Sequence, residues 1–233
     1  PLPMRHGLTM GELALWFIAA LKLKVDCRIV EMQGWKPDAA PGYGWPAERA
    51  WINPSPNVPM LESARCFPGT VLVEGTTLSE GRGTTRPFEL IGAPDIDPAA
   101  LIAKMQELEP KWLRGCALRT CWFEPTFQKH VGKLCAGVQI HVEDEFYSHA
   151  AFRPWRLQAL AFKALRSLEP KYPLWRQFAY EYERDRLAID LLSGSDLLRE
   201  WVDDRRSSVK DLDELALADE EDWCRERWRY LLY

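Results

Sequence analysis

The chain has 233 residues, 47% of them hydrophobic and 27% charged, with a formal net charge of −4 at pH 7. That length holds one large domain or two small ones, and the balance is that of a packed globular protein, which excludes a disordered or fibrous chain. Basic residues are mixed with acidic ones through the C-terminal half instead of forming a block, so no nucleic-acid partner is expected.

Thr9, with Glu12 three residues on, forms a capping-box signature. Leu13, Trp16, Phe17, Ala20 and Leu21 give the apolar face of a helix over residues 10–22. A strand is expected at Val25–Glu31, then a long ordered loop, Gln33–Pro59, rich in proline and glycine. Trp35, Tyr43, Trp45 and Trp51 fall in this loop, where aromatic rings pack on core or on the C–H faces of a sugar. The prolines around Ser55 fix the path of Ser55 and Asn57, either as a stiff connector or as a substrate-contacting loop.

A short helix over residues 60–66 leads to a buried strand, Thr70–Glu74, and an extended piece, Phe88–Ile91. Asp97 and Pro98 open a helix that runs to about Glu109. Near residue 110 the texture changes, and a domain boundary is placed there, giving units 1–110 and 111–233. Strands at 117–123 and 137–142, a helix at 155–168, a short strand near 187–191, a helix from Ser195 or Asp196 through Trp201, and a final helix at 219–230 follow. Asp203–Asp222 reads as a solvated surface of alternating charge.

The chemistry concentrates after Val73. Glu74-Gly75-Thr76 through Glu80-Gly81-Arg82-Gly83 to Arg86 combines carboxylates and guanidinium groups on a loop whose glycines permit close approach to a ligand. Cleavage of a glycosidic bond uses two carboxyl groups, and Glu74 and Glu80 are the candidates. Glu74, following apolar residues, is expected to be desolvated with a raised pKa, while Glu80 stands equally as a salt-bridge partner of Arg82 or Arg86. The planar forks of Arg82 and Arg86 suit a carboxylate or phosphate, but no Gly-Lys-Ser/Thr follows to make a nucleotide loop. Glu124, Lys129, His130 and His141 lie near strand boundaries, without a metal-binding spacing. The six cysteines, Cys27, Cys66, Cys116, Cys121, Cys135 and Cys224, show no zinc pattern and read as free thiols, and no metal or cofactor is expected. No apolar run is long enough for a transmembrane helix.

Five stretches resemble the NamZ-type exo-β-N-acetylmuramidases: Gly7–Ala14; Asn53–Pro59; Glu74–Thr76 running through Gly81–Thr84 to Phe88; Phe123–Gly132 with Gly137–Gln139; and Arg229–Tyr233. The resemblance implies an α/β architecture, a partial Rossmann-like parallel-sheet domain followed by a smaller α+β domain, with the active-site cleft between them. It implies a C-terminal portion of such a protein, beginning inside the first domain without its opening strands, with further carboxylates on the preceding part. The implied activity is release of terminal N-acetylmuramic acid from the non-reducing end of peptidoglycan fragments, in the periplasm or outside the cell. Glu74 and Glu80 are then the catalytic candidates. Arg82, Arg86, Ser55, Asn57, Thr76 and His130 are the candidate substrate contacts, and the chemistry of its planar fork, not the resemblance, gives Arg82 as a clamp for the lactyl carboxylate. A non-catalytic saccharide-binding or scaffolding module is the alternative, and a phosphate-ester enzyme a more distant one.

Overall fold

A computed structural model describes residues 2–37 and 49–233, so Tyr43 and Trp45 lie outside the described residues. The chain forms two compact units, Pro1–Arg49 with Asp213–Tyr233, and Ala50–Leu212. The change between the first two segments falls inside the Pro/Gly-rich loop.

In the smaller unit, helix α1 (Met10–Ala20) carries the expected capping box. Glu12 Oε2 accepts from Thr9 N at 2.6 Å, and its Oε1 accepts from Leu232 N at 2.7 Å. One buried carboxylate thereby caps a helix and pins the closing segment, both oxygens being satisfied by backbone donors. Trp16 donates to Glu226 at 2.7 Å and meets Trp223 edge-on at 5.3 Å. The strand expected at Val25–Glu31 does not form; the segment is irregular and Val25 and Val30 are exposed. β-branched content favours a strand only where a neighbour supplies a ladder.

The larger unit contains a three-stranded antiparallel sheet in the order β1-β3-β2, from β1 (Leu90–Ala93), β2 (Ala117–Phe123) and β3 (Cys135–His141). Leu90 faces Gln139 and Thr120 faces Val138 in register. No parallel sheet occurs among the described residues: β3 pairs antiparallel with both β1 and β2, and the short β2–β3 loop suits only the antiparallel arrangement. Helix α2 (Leu61–Thr70) packs on α4 (Pro154–Leu168), which also packs on α3 (Pro98–Leu108). Asp97 caps α3 through Ala99 N and Ala100 N at 2.9 and 3.0 Å, with Pro98 at the first position as expected. Ile91, Leu101, Met105, Val138, Ile140 and Leu157 fill the space between α3, α4 and the sheet. Residue 110 lies inside this unit, between α3 and β2, and β1 pairs with β3 across it.

Two expected strands are helical. Thr70–Glu74 is the end of α2 followed by a 3-10 turn, Val71–Gly75, and 187–191 falls largely in α5 (Ala188–Ser193). Short apolar runs do not distinguish a buried strand from a buried helical turn. The two turns pack together so closely that a Cβ on Gly75 would lie 2.7 Å from the backbone of Ile189, which only glycine permits. The helix expected from Ser195 or Asp196 is α6 (Leu197–Asp203). The last helix, α7 (Val209–Arg227), begins earlier than expected, at a cap in which Ser208 N donates to Asp211 Oδ2 at 2.7 Å.

Candidate active site

Glu74 therefore stands in the 3-10 turn, not at the end of a strand. The turn leads through Thr76 into the Gly-rich loop, which doubles back so that Phe88 N donates to Glu80 O at 2.8 Å. Gly83 has φ +78, and Thr126 Oγ1 from the β2–β3 loop donates to its carbonyl at 2.8 Å. These links bring three stretches of the chain, 74–82, 126–130 and 176–180, to one place.

Arg82 bridges the two candidate carboxylates. Its Nη2 meets Glu74 Oε1, and its Nε donates to Glu80 Oε1 at 2.6 Å, while its guanidinium lies 5.1 Å from the centroid of the Phe88 ring. Lys129 Nζ forms an ion pair with Glu80 Oε2 at 2.8 Å and donates to Val73 O at 2.7 Å and Thr76 O at 3.2 Å. Tyr180 completes the group by donating to Glu74 Oε2 at 2.9 Å.

The structure separates the two glutamates that the sequence set as equals. The Glu80 side chain is 1% exposed and held by a cation at each oxygen, whereas Glu74 is 15% exposed. Burial pushes the Glu80 carboxyl up, but Lys129 and Arg82 outweigh it and hold the group below the ordinary carboxylate value. Glu80 is in this way an internal anion that organises its neighbours. Burial also lowers the Lys129 ammonium, against the pull of Glu80. For Arg82, burial opposes the charge and Glu74 and Glu80 restore it, with a net upward shift. Arg82, expected to grip a lactyl carboxylate, has its Nε and Nη2 engaged by the protein's own carboxylates, Glu80 and Glu74.

Lys129 is flanked by Gln128 and His130 at φ 62 and 58. Left-handed backbone at non-glycine residues costs about 1–2 kcal/mol each, and it persists here beside the ion pair with Glu80 and the two carbonyl contacts of Lys129. His130 turns the same way, its Nε2 2.8 Å from Thr77 O. Thr76 is fully buried, its hydroxyl donating to Val73 O at 2.8 Å and accepting from Leu78 N at 3.1 Å, so it braces the turn. Arg86 pairs instead with buried Glu89 at 3.0 Å, and Ser63 donates to the other Glu89 oxygen at 3.0 Å. Ser55 and Asn57 form a local turn, Asn57 N donating to Ser55 Oγ at 3.3 Å, and Trp51 donates to Val58 O at 3.1 Å. His141 pairs with Glu143 at 2.7 Å, away from Lys129 and His130 in its contacts. Among the described residues no three His, Cys, Asp or Glu side chains are grouped to hold a metal ion. Tyr180 was not singled out in the sequence; its distance of 106 residues from Glu74 leaves no local signal.

Residues 65–233 match the C-terminal domain of exo-beta-N-acetylmuramidase NamZ and residues 1–62 its N-terminal domain, both domains being represented. The chain belongs to the NamZ exo-β-N-acetylmuramidase family. It is 44% identical over 145 residues to the peptidoglycan beta-N-acetylmuramidase NamZ of Bacillus subtilis (strain 168), across 62% of this chain and 33% of that protein. Crystal structures of two DUF1343 family proteins from Bacteroides fragilis NCTC 9343 share the fold. One has a TM-score of 0.70 at 27% identity over 97% of this chain, the other 0.68 at 24% over 98%. The chain spans 56% of each of those two chains.

Proposed function

We propose that this chain acts in a glycoside hydrolase that releases terminal N-acetylmuramic acid from the non-reducing end of peptidoglycan fragments. Family membership and the name of the Bacillus subtilis relative support the substrate class. The observation that carries the reading is Glu74 itself, a partly exposed carboxylate that accepts hydrogen bonds from a guanidinium and a phenol on separate chain segments. In this geometry both its oxygens accept hydrogen bonds, which suits attack on, or electrostatic support of, an oxocarbenium-like centre. Glu80, sealed between Arg82 and Lys129, positions them and does not itself reach the sugar. Arg82 acts on the substrate through Glu74.

The Rossmann-like parallel sheet belongs to this reading as a property of the family's N-terminal domain, supported by the match of residues 1–62. Action outside the cytoplasmic membrane, in the periplasm or beyond, follows from where the polymer lies. No helix among the described residues is long and apolar enough to cross a membrane.

The test is release of free N-acetylmuramic acid from a chromogenic muramyl glycoside and from a muramyl disaccharide. Glu74→Gln lowers turnover by about 10³-fold, within the range for loss of a positioned catalytic carboxylate. Near-wild-type rates would remove Glu74 from the mechanism. Saccharide binding by the wild-type protein without any release would make it a binding module.

A further inference from the structure

The segment that brings Tyr180 to Glu74 is laid against the site by backbone bonds on both sides of the turn. Thr77 N donates to Leu174 O at 2.8 Å, Arg176 N donates to Gly75 O at 3.0 Å, and Thr76 bridges Trp175 in antiparallel fashion. Beyond this anchor the chain makes a tight turn, Tyr180 and Glu183 exchanging backbone bonds of 3.3 and 3.1 Å, with Glu181 at φ 52. The Arg176 guanidinium lies 5.9 Å from the centroid of the Tyr180 ring and donates to Glu74 O at 3.5 Å. Tyr180 is thus held at both its backbone and its ring, with its hydroxyl donating to Glu74 Oε2 at 2.9 Å.

We propose that Tyr180 is a positioning residue for Glu74, its hydroxyl fixing one carboxylate oxygen as Arg82 fixes the other, so that the plane of the carboxylate is set before the sugar arrives. The inference rests on the hydrolase reading of Glu74. A glutamate's last torsion is broad and roughly two-fold, so one donor leaves the carboxylate able to turn, and two donors on unconnected segments do not. Each oxygen keeps a second lone pair for the substrate side. Arg82, Tyr180 and the Arg176 guanidinium face Glu74 directly, Glu80 and Lys129 lie behind Arg82, and Glu181 stands next to the phenol. Burial and the neighbouring Glu74 raise the phenol well above its ordinary range, so it stays a donor throughout the working pH range.

The experiment compares Tyr180→Phe with the wild-type protein on the muramyl disaccharide. The variant keeps the ring, its packing against Arg176 and the backbone anchor, and loses only the donor. The expected result is a kcat lower by about 10- to 100-fold, the scale of a misplaced catalytic group, with KM changed less than about two-fold and an unchanged thermal midpoint. An unchanged kcat overturns the inference, as does a rise in KM with kcat preserved. Loss beyond about 10⁴-fold, with a muramyl adduct on Tyr180 in the wild-type protein, also overturns it, by making the phenol the nucleophile. Crystal structures of the wild-type protein and Tyr180→Phe read the inference without turnover: a Glu74 carboxylate in more than one orientation in the variant supports it, and one unmoved sinks it. Wild-type protein that releases no sugar defeats the hydrolase reading alone, and the two structures still decide the role of Tyr180.

Discussion

Lys129 Nζ sits 2.8 Å from Glu80 Oε2, linking the β2–β3 loop to the Gly-rich loop through a carboxylate that is 1% exposed. Removing one partner of such a buried pair leaves the other charge uncompensated. Glu80→Gln is expected to destabilise the protein by about 3 kcal/mol, and Glu80→Gln combined with Lys129→Met by less than the sum of the two single changes. Denaturant midpoints of the two single variants and the double variant measure this coupling. Strict additivity would mean that the pair contributes nothing of its own.

Arg82 is committed to Glu74 and Glu80 along its Nε/Nη2 edge. Lysine offers no planar fork, so Arg82→Lys breaks the bridge while keeping the charge. Turnover of muramyl and N-acetylglucosaminyl substrates is expected to fall alike, by about 10²-fold. A loss confined to the muramyl substrate would instead assign Arg82 to the lactyl carboxylate.

The two buried carboxylates of the loop respond to acid with opposite sign. Burial raises Glu80 but its cations win, leaving it below the ordinary 4.5, so the folded chain binds fewer protons there than the unfolded one. That stability is present in full above about pH 4.5 and is lost as pH falls through the folded value. Burial raises Glu89 more than Arg86 lowers it, so its contribution is full below about pH 4.5 and declines as pH rises through the raised folded value. Glu80→Gln flattens the acid limb of stability measured by denaturation below that pH, and Glu89→Gln removes a decline above it. Identical pH profiles for the two variants would contradict the opposed shifts.

A Cβ on Gly83 would lie 2.1 Å from Thr126 Oγ1, at a residue whose φ of +78 already disfavours any side chain. Gly83→Ala is expected to cost about 2 kcal/mol, lowering the thermal midpoint by about 4–8 °C. Because the same contact ties the Lys129 loop to Arg82, activity should fall further than stability alone accounts for. A variant as stable and active as wild type would show that the two loops are held independently.

Much of the architecture was legible where a local rule operates. The Thr9–Glu12 capping box, the Asp97–Pro98 helix start, the strand at 117–123 and the helix ending at Leu168 all stand as the residues foretell. Two of the expected strands differ for one shared reason. Val71–Glu74 and 187–191 are short apolar runs, and each is helical because it packs on the other across Gly75, a contact that no window of sequence contains.

Sequence by itself determined the composition of the site: a glutamate pair, an arginine and glycines close along the chain, together with the family they mark. Tertiary structure alone decided their surroundings. It buried Glu80 between two cations, left Glu74 with an exposed edge, sent Arg86 to Glu89, and carried Lys129 and Tyr180 in from distant segments. The physical reason is that a carboxylate's function depends on its solvation and its partners, and both are set by which chain segments meet around it.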